Sequence, residues 1–300
     1  MKKLFRLLTL AALVLLAKPA NAQLIEGPRG YEDFKIGVAG YTYRSFDIDQ
    51  TLAFLKSMEV HYMSVKDWWL PLDSTKEQMD AFKAKCREYD VEPYILGPIY
   101  MRSEAEVDRA FAYAERYGSD VFIGVPNYEL TDYVIKKVKD TGIKMAIHQD
   151  DPPWDIFGLP RLLVDAESVD RFVSMVDDPY NCLTLCSGSL NANPNNNVAD
   201  IVRKHCDRIA FAHIRNVKHF ENGDFSEASH RDCDGDTRIL DVLKAYHDCG
   251  FEGYIRPDHG RHLWTEGPGN VRPGYGLYDR ALGIMYMLGV WDMLDKIEGK

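Results

Sequence analysis

The chain has 300 residues, of which 46% are hydrophobic and 27% charged, and its formal net charge is −10 at pH 7. This is an ordinary globular composition, and the length suits one large domain or two smaller ones. Because phosphate contacts need a basic surface, the acidic balance disfavours nucleic acids and anionic membranes as partners, and no groove-reading motif is present.

The first 22 residues, MKKLFRLLTLAALVLLAKPANA, have the pattern of a secretory signal peptide. Lys2, Lys3 and Arg6 make a basic start, and the following apolar run is too short to span a bilayer. The tripeptide Ala-Asn-Ala at its end fits a small-x-small cleavage site. We therefore expect a secreted protein, periplasmic in a Gram-negative host, whose residues 23–300 form a single domain without a membrane span.

From residue 36 onward, apolar and β-branched segments alternate with segments of helical pattern. The predicted strands are 36–41, 60–65, 91–96, 121–125, 143–148, 181–186, 208–214 and 253–256. The predicted helices are 46–56, 74–89 (which opens with a capping box at Ser74), 104–117, 131–139, 165–176, 198–205 and 240–249. Eight strands alternating with helices in one chain predict an α/β fold, the (β/α)8 TIM barrel. A doubly wound open sheet is the alternative, but the turn after the first strand, AGYTYR, is not a Gly-rich phosphate loop.

Each of the last four predicted strands has a metal-binding side chain at or just after its C-terminal end. These side chains are His148, Cys186, His213 and Asp258. In a TIM barrel the C-terminal strand ends meet at one mouth, where catalytic residues lie. Two imidazoles, a thiolate and a carboxylate make a suitable divalent-metal set, and ligand type alone favours zinc.

Polar side chains follow the same strand ends. Asp150 and Arg161 come after His148, Arg215 follows His213, and Arg256 precedes Asp258. His230 ends the segment FSEASH, whose pattern is typical of a helix. Guanidinium groups beside a metal indicate an anionic, oxygen-rich small molecule such as a sugar acid. The alternative is that these residues only tie loops to neighbouring acids.

The motifs HQDDPPWDIFGLPR, LTLCSGSL, FAHIRN, EASHRDCDGD, RPDHG and PGYG resemble, in order and spacing, those of the mannonate dehydratase family. The resemblance implies a TIM barrel of the xylose-isomerase-like type that binds Mn²⁺ or Fe²⁺, in place of zinc. It also implies dehydration of D-mannonate to 2-keto-3-deoxy-D-gluconate. Carried over position by position, the resemblance places the metal ligands at His148, Cys186, His213 and Asp258 and the catalytic pair at His259 and Tyr275. The polar neighbours of these residues are the predicted substrate contacts, namely Asp150, Arg161, Arg215, His230 and Arg256.

The first half of the chain, which begins IGVAGYTYRSFDIDQTLAFLKSMEVHYMSVKD, looks instead like sugar phosphate isomerase/epimerase barrels. A metal-dependent sugar isomerase or epimerase is therefore the alternative activity. A carbohydrate-binding protein without turnover is a third interpretation, which the pair His259 and Tyr275 argues against. Self-association into a homo-oligomer is left open.

The six cysteines are irregularly spaced, and the domain is large enough to be stable without disulfide bonds. We expect buried free thiols or one optional disulfide bridge.

Overall fold

A closed barrel of eight parallel strands forms the centre of the molecule. The structure, a computed structural model, describes residues 34–266 and 273–299, so the predicted signal peptide lies outside the described residues. The barrel strands are β1 (Lys35–Val38), β2 (Tyr62–Val65), β3 (Glu92–Met101), β4 (Val121–Pro126), β5 (Lys144–His148), β6 (Asn181–Cys186), β7 (Ile209–Ile214) and β10 (Tyr254–Pro257). Two further strands, β8 (Asn216–His219) and β9 (Phe225–Ala228), form a separate sheet. The barrel order is β1-β10-β7-β6-β5-β4-β3-β2, which confirms the predicted TIM barrel.

Helices follow the strands and cover the outside of the barrel. Within the described residues they are α1 (Ile48–Ser57), α2 (Lys76–Glu88), α3 (Glu104–Tyr117), α4 (Thr131–Thr141), α5 (Ala166–Met175), α6 (Ser187–Asn191), α7 (Val198–His205), α8 (Ile239–Asp248) and α9 (Leu277–Glu298). The predicted capping box at Ser74 was wrong by one position. Thr75 caps α2, because its side chain accepts from the Gln78 amide while Gln78 bonds back to the Thr75 amide. No helix in the described part of the chain is long and apolar enough to cross a membrane.

An antiparallel hairpin, β8 paired with β9, leaves the barrel after β7 and lies over its mouth. The helical interpretation of FSEASH was wrong, because Phe225 to Ala228 form strand β9. Phe225 and Glu227 of β9 are partly buried and Ser226 between them is exposed, as expected for side chains on alternate faces of a strand, while Ala228 at the end of β9 is buried. Phe225 packs against Trp154, so the hairpin is held to the loop after β5.

Aromatic rings fill the interior of the barrel below the mouth. Tyr94 stacks on Tyr254 with 3.7 Å between ring centroids, and Phe211 lies 5.9 Å from Tyr94. The ring of His213 lies 4.7 Å from that of Phe211, two residues further along β7. The aromatic layer therefore forms a floor, and the predicted site lies directly on it.

A disulfide joins Cys206, after α7, to Cys249, after α8. The sequence analysis allowed for one such disulfide without assigning its cysteines. Cys186 remains a free, buried thiol, as its proposed role requires.

Candidate metal centre and acid–base site

Strand register brings the four predicted ligands together. Cys186 is paired across the sheet with His213, and His213 is paired on its other side with Arg256, two residues before Asp258. His148 ends β5, opposite Thr184 on β6. Neighbouring strands are about 4.8 Å apart, so side chains at adjacent strand ends converge. One ligand atom from each of His148, Cys186, His213 and Asp258 lies within 4.8 Å of the other three.

Local hydrogen bonds orient two of these side chains. His148 Nδ1 lies 2.6 Å from the Gln149 carbonyl oxygen, which leaves Nε2 as the ring atom available to a ligand. Cys186 is the N-cap of α6, and the Ser189 amide donates to its sulfur at 3.5 Å. Burial, and next the charge of Asp258, raise the pKa of the Cys186 thiol. A bound cation acts in the opposite direction and favours the thiolate.

The His213 ring is the clearest sign that the site is built for a cation. It is 4% exposed, and neither ring nitrogen has a hydrogen-bond partner, although Nδ1 is 3.3 Å from Asp258 Oδ1. Burial, and next the charge of Arg256, hold the pKa of His213 well below its usual value. Burial acts to raise the pKa of Asp258, but His213, His259 and Arg256 outweigh it and hold that pKa well below the usual value. A neutral imidazole and an ionised carboxylate are the forms that bind a divalent metal, so the residues fit the ion.

His259 is held by a carboxylate that the sequence analysis did not single out. Its Nδ1 lies 2.7 Å from Glu227 Oε1, on the hairpin strand β9, and its Nε2 lies 3.6 Å from Asp258 Oδ2. Glu227 also accepts two hydrogen bonds from Arg215, whose Nη1 donates to Asp151 Oδ2 at 2.6 Å. Burial acts to raise the pKa of Glu227, but its bonds to His259 and Arg215 lower it overall. The network leaves His259 Nε2 facing the metal ligands.

Tyr275 lies beside His259, with 5.4 Å between their ring centroids. A backbone bridge between Gly260 and Tyr275 holds the loop, and the Arg280 guanidinium stacks 4.8 Å from the tyrosine ring. Arg280 is buried, donates to the Asp258 carbonyl at 2.6 Å, and was missed by the sequence analysis. Burial, and next the charge of Asp258, raise the pKa of Tyr275, so the phenol is protonated near neutral pH.

The five predicted substrate-binding residues lie in three different settings. Arg256 projects toward the ligands, with Nη2 3.8 Å from Asp258 Oδ1. Arg215, 3% exposed, is paired with two carboxylates, and His230 is buried with Nε2 3.1 Å from the Ile214 carbonyl. Arg215 and His230 are thus bonded to other protein groups, which suits residues that position the site.

Asp150 and Arg161 are bonded to each other in the loop after β5. The Asp150 carboxylate accepts from the amides of Leu162 and Leu163 at 2.8 and 2.9 Å, and from Arg161 at 3.3 Å. This geometry matches the alternative in which these residues tie down the loop. The substrate contact predicted for them stays a prediction.

Sequence signals for the missed residues existed in part. Lys66, a buried residue whose Nζ donates to the Gly97 carbonyl oxygen, was also missed; it directly follows β2, so the strand-end rule applied to the second half also reaches it. Glu227 is the first residue of the motif EASHRDCDGD, but its contact with His259 spans 32 residues and depends on the hairpin. Arg280 lies within α9, which the strand–helix pattern did not predict.

Comparison with known proteins agrees with this geometry. The family model described as D-mannonate dehydratase (UxuA) matches residues 126–300. The mannonate dehydratase of Endomicrobium trichonymphae is 41% identical over 92% of this chain and 81% of its own length. The crystal structure of mannonate dehydratase from Streptococcus suis serotype 2 has a TM-score of 0.76 and 26% identity, covering 89% of this chain and 95% of that one.

The barrel type is also shared more widely. A xylose isomerase domain protein from Planctomyces limnophilus has a TM-score of 0.61 at 15% identity, covering 89% of this chain and 99% of that one, which shows a common fold. The similarity to mannonate dehydratases extends beyond the motifs of the second half, because the relative from Endomicrobium aligns over nearly the whole chain. The chain therefore belongs to the D-mannonate dehydratase family of hydro-lyases.

Proposed function

We propose that this protein dehydrates D-mannonate to 2-keto-3-deoxy-D-gluconate in a reaction that depends on Mn²⁺ or Fe²⁺. The observation that carries the proposal is the convergence of four metal-binding side chains beside an oriented histidine and a buried tyrosine. His148, Cys186, His213 and Asp258 would hold the ion. When bound, it supplies a Lewis acid that stabilises negative charge on the substrate's carboxylate and C2 oxygen.

The protein's own residues then move two protons. His259 Nε2 takes the proton from C2, because Nδ1 is occupied by Glu227 and only Nε2 faces the ligand set. Tyr275 donates its phenolic proton to the C3 hydroxyl, since a phenol with an ordinary pKa of about 10 is protonated at neutral pH. The C3–O bond breaks, the hydroxyl leaves as water, and the resulting enol tautomerises to the 2-keto acid.

The direct test is turnover by the full chain loaded with Mn²⁺. Product should form from D-mannonate, disappear with a chelator and return when metal is restored. Absence of product with one equivalent of metal bound would overturn the substrate assignment, and sugars for an isomerase or epimerase would then be assayed.

A matched pair of variants tests the residue roles. Tyr275→Phe should lose turnover and keep its metal, and His259→Asn should do the same. Tyr278→Phe removes the same oxygen from a tyrosine that is 38% exposed and packs against Trp264, so it should behave as the wild type. Undiminished turnover in Tyr275→Phe or in His259→Asn would remove that residue from the mechanism.

We also propose that the protein is exported. The pattern of residues 1–22 supports export, and the Cys206–Cys249 disulfide is of the kind that persists in oxidising compartments. N-terminal sequencing of the mature protein should begin at Gln23. A cytoplasmic chain that starts at Met1 would contradict this proposal.

A further inference from the structure

A second positive group, Lys66, lies at the barrel mouth outside the acid–base site. It directly follows β2, is 6% exposed, and its Nζ donates to the Gly97 carbonyl oxygen at 3.3 Å. Within the described part of the chain it forms no ion pair with a carboxylate. An ammonium group has three donors, so two remain for another molecule.

Arg256 is a second cation without a full set of partners. It is 9% exposed, its guanidinium lies 4.9 Å from the Phe211 ring, and its Nε is buried without a hydrogen-bond partner. Its only ion pair with a described carboxylate is the 3.8 Å contact with Asp258, which is itself a proposed ligand. Burial, with an added contribution from Arg256, lowers the pKa of Lys66 to about 8, while Asp67 acts to raise it. Strand β1 pairs with β2 on one side and with β10 on the other, so Lys66, directly after β2, and Arg256, near the end of β10, lie toward the same end of the barrel and two strands apart.

Aromatic rings connect Lys66 to the catalytic pair. Lys66 Nζ is 5.9 Å from the centroid of Tyr41 and 5.3 Å from that of Trp68. The Tyr41 ring lies 4.9 Å from that of Tyr275, which in turn contacts His259. The lysine is one aromatic ring away from the proposed acid, so one small ligand can contact both.

Two buried cations without a close acid partner of their own are unusual in a chain that carries 46 acidic residues against 36 basic ones. Burying a charge is unfavourable unless an opposite charge or hydrogen bonds compensate it. We propose that Lys66 and Arg256 form an anion subsite that binds the carboxylate of the sugar acid, with Lys66 distinguishing acids from neutral sugars. This rests on the proposed function for the identity of the acid, and the subsite itself rests on the geometry of the two cations.

The test compares Lys66→Met, Lys66→Arg and the surface control Lys76→Met, each loaded with Mn²⁺. Lys76 lies exposed at the start of α2, where it forms an ion pair with Asp80, so the control removes the same charge from the solvent-exposed surface. Because a hydrogen bond to a charged group is lost, Lys66→Met should raise KM for D-mannonate about 10- to 150-fold and change kcat less. Lys66→Arg keeps the charge and should recover most of the affinity.

Binding without turnover identifies the group that is recognised. In calorimetry Tyr275→Phe, which should keep its metal and lose turnover, should bind D-mannonate more tightly than D-mannonamide, its neutral analogue, and adding Lys66→Met should remove that preference. The affinity of Tyr275→Phe should fall as pH rises through about 8, since Lys66 then loses its charge, whereas adding Lys66→Arg should abolish that fall. Asp67, Arg256 and Tyr41 are the ionisable groups around Lys66, and they are unchanged in both variants.

The outcomes separate this inference from the proposed function. Unchanged KM and an unchanged preference for the acid in a folded Lys66→Met protein would overturn the subsite. A loss of kcat with unchanged KM would also overturn it, because Lys66 would then act in proton transfer. If D-mannonate is not turned over, the same comparison is made with D-glucuronate and D-glucuronamide. Loss of the preference for the acid in Lys66→Met then supports the subsite while the dehydratase assignment fails.

Discussion

Replacing Glu227 with Gln removes the carboxylate that orients His259 and keeps the size of the side chain. Glu227 Oε1 accepts from His259 Nδ1 and Arg215 Nη2, both at 2.7 Å, and Oε2 accepts from Arg215 Nε at 3.0 Å. In the variant an NH2 donor replaces one carboxylate oxygen, so the side chain loses its negative charge and can no longer accept all three hydrogen bonds from His259 and Arg215. A hydrogen bond to a charged group contributes about 1.5–3 kcal/mol, which predicts a loss of kcat of about 10- to 150-fold.

The assay measures kcat and KM for D-mannonate together with the metal content of each protein. Because Glu227 is not among the proposed ligands, the variant should keep its metal and a KM within a few fold of the wild type. Glu221→Gln is the control, since it removes an equal charge from an exposed position on the same hairpin. Glu227→Asp keeps the carboxylate and should restore part of the lost turnover.

A kcat within twofold of the wild type in metal-loaded Glu227→Gln would refute the role of the hairpin in orienting His259. Loss of metal together with kcat would refute it in another way, because Glu227 would then support the ion and not the acid–base pair. Unfolding midpoints of the two glutamine variants show whether a lower kcat reflects a less stable fold.

Three other side chains or bonds have outcomes that can be measured in the same way. Cys186→Ser should weaken metal binding and lower turnover, as elemental analysis and rate assays would show. Loss of a residue that only supports a metal ligand weakens binding roughly 10- to 100-fold, so loss of a ligand should weaken it at least as much. Full metal content in the variant would exclude the thiolate as a ligand. Reducing the Cys206–Cys249 disulfide, which closes a loop of 43 residues, should lower the unfolding free energy by about 4 kcal/mol in denaturant titrations with and without reductant, and an equal midpoint in both would contradict this. Burial lowers the pKa of His230 in the folded protein, so the unfolded chain binds one more proton and the unfolding free energy should fall below about pH 6.5. Denaturant titrations at pH 7.5 and 5.5 should show a smaller fall in His230→Gln than in the wild type. An identical fall in both proteins would be evidence against a buried neutral ring.

The strand–helix rhythm predicted the barrel because each element has its own period of burial. A parallel barrel also places all strand ends at one mouth, and this is why His148, Cys186 and His213 could be grouped from sequence alone. The hairpin was missed although Asn222-Gly223, between β8 and β9, is a turn signal, because β9 has only four residues and FSEASH was interpreted as a helix. Contacts that depend on the hairpin, such as Glu227 with His259, were missed with it.

Site residues in the first half of the chain were also missed. The pattern of this half looked like that of isomerases, so its strand ends were not searched for site residues. Lys66 follows β2 in the same way as His148 ends β5, yet it carries no metal-binding group and its sequence context SVKD is unremarkable. Its importance becomes visible only when burial and the missing acid partner are known.

The two halves of the chain nevertheless form one pocket, and particular contacts join them. Arg280 of α9 donates to Thr42 Oγ1 at 2.5 Å, in the turn after β1, and to the carbonyl oxygen of Asp258 at 2.6 Å. Tyr41 from that same turn packs against Tyr275, so the proposed acid lies between an element of each half. The second half supplies the proposed ligands and the proposed base, and the first half contributes Tyr41 and Thr42 beside them. Changes in the turn after β1 should therefore alter which sugar acid is accepted while the metal remains bound.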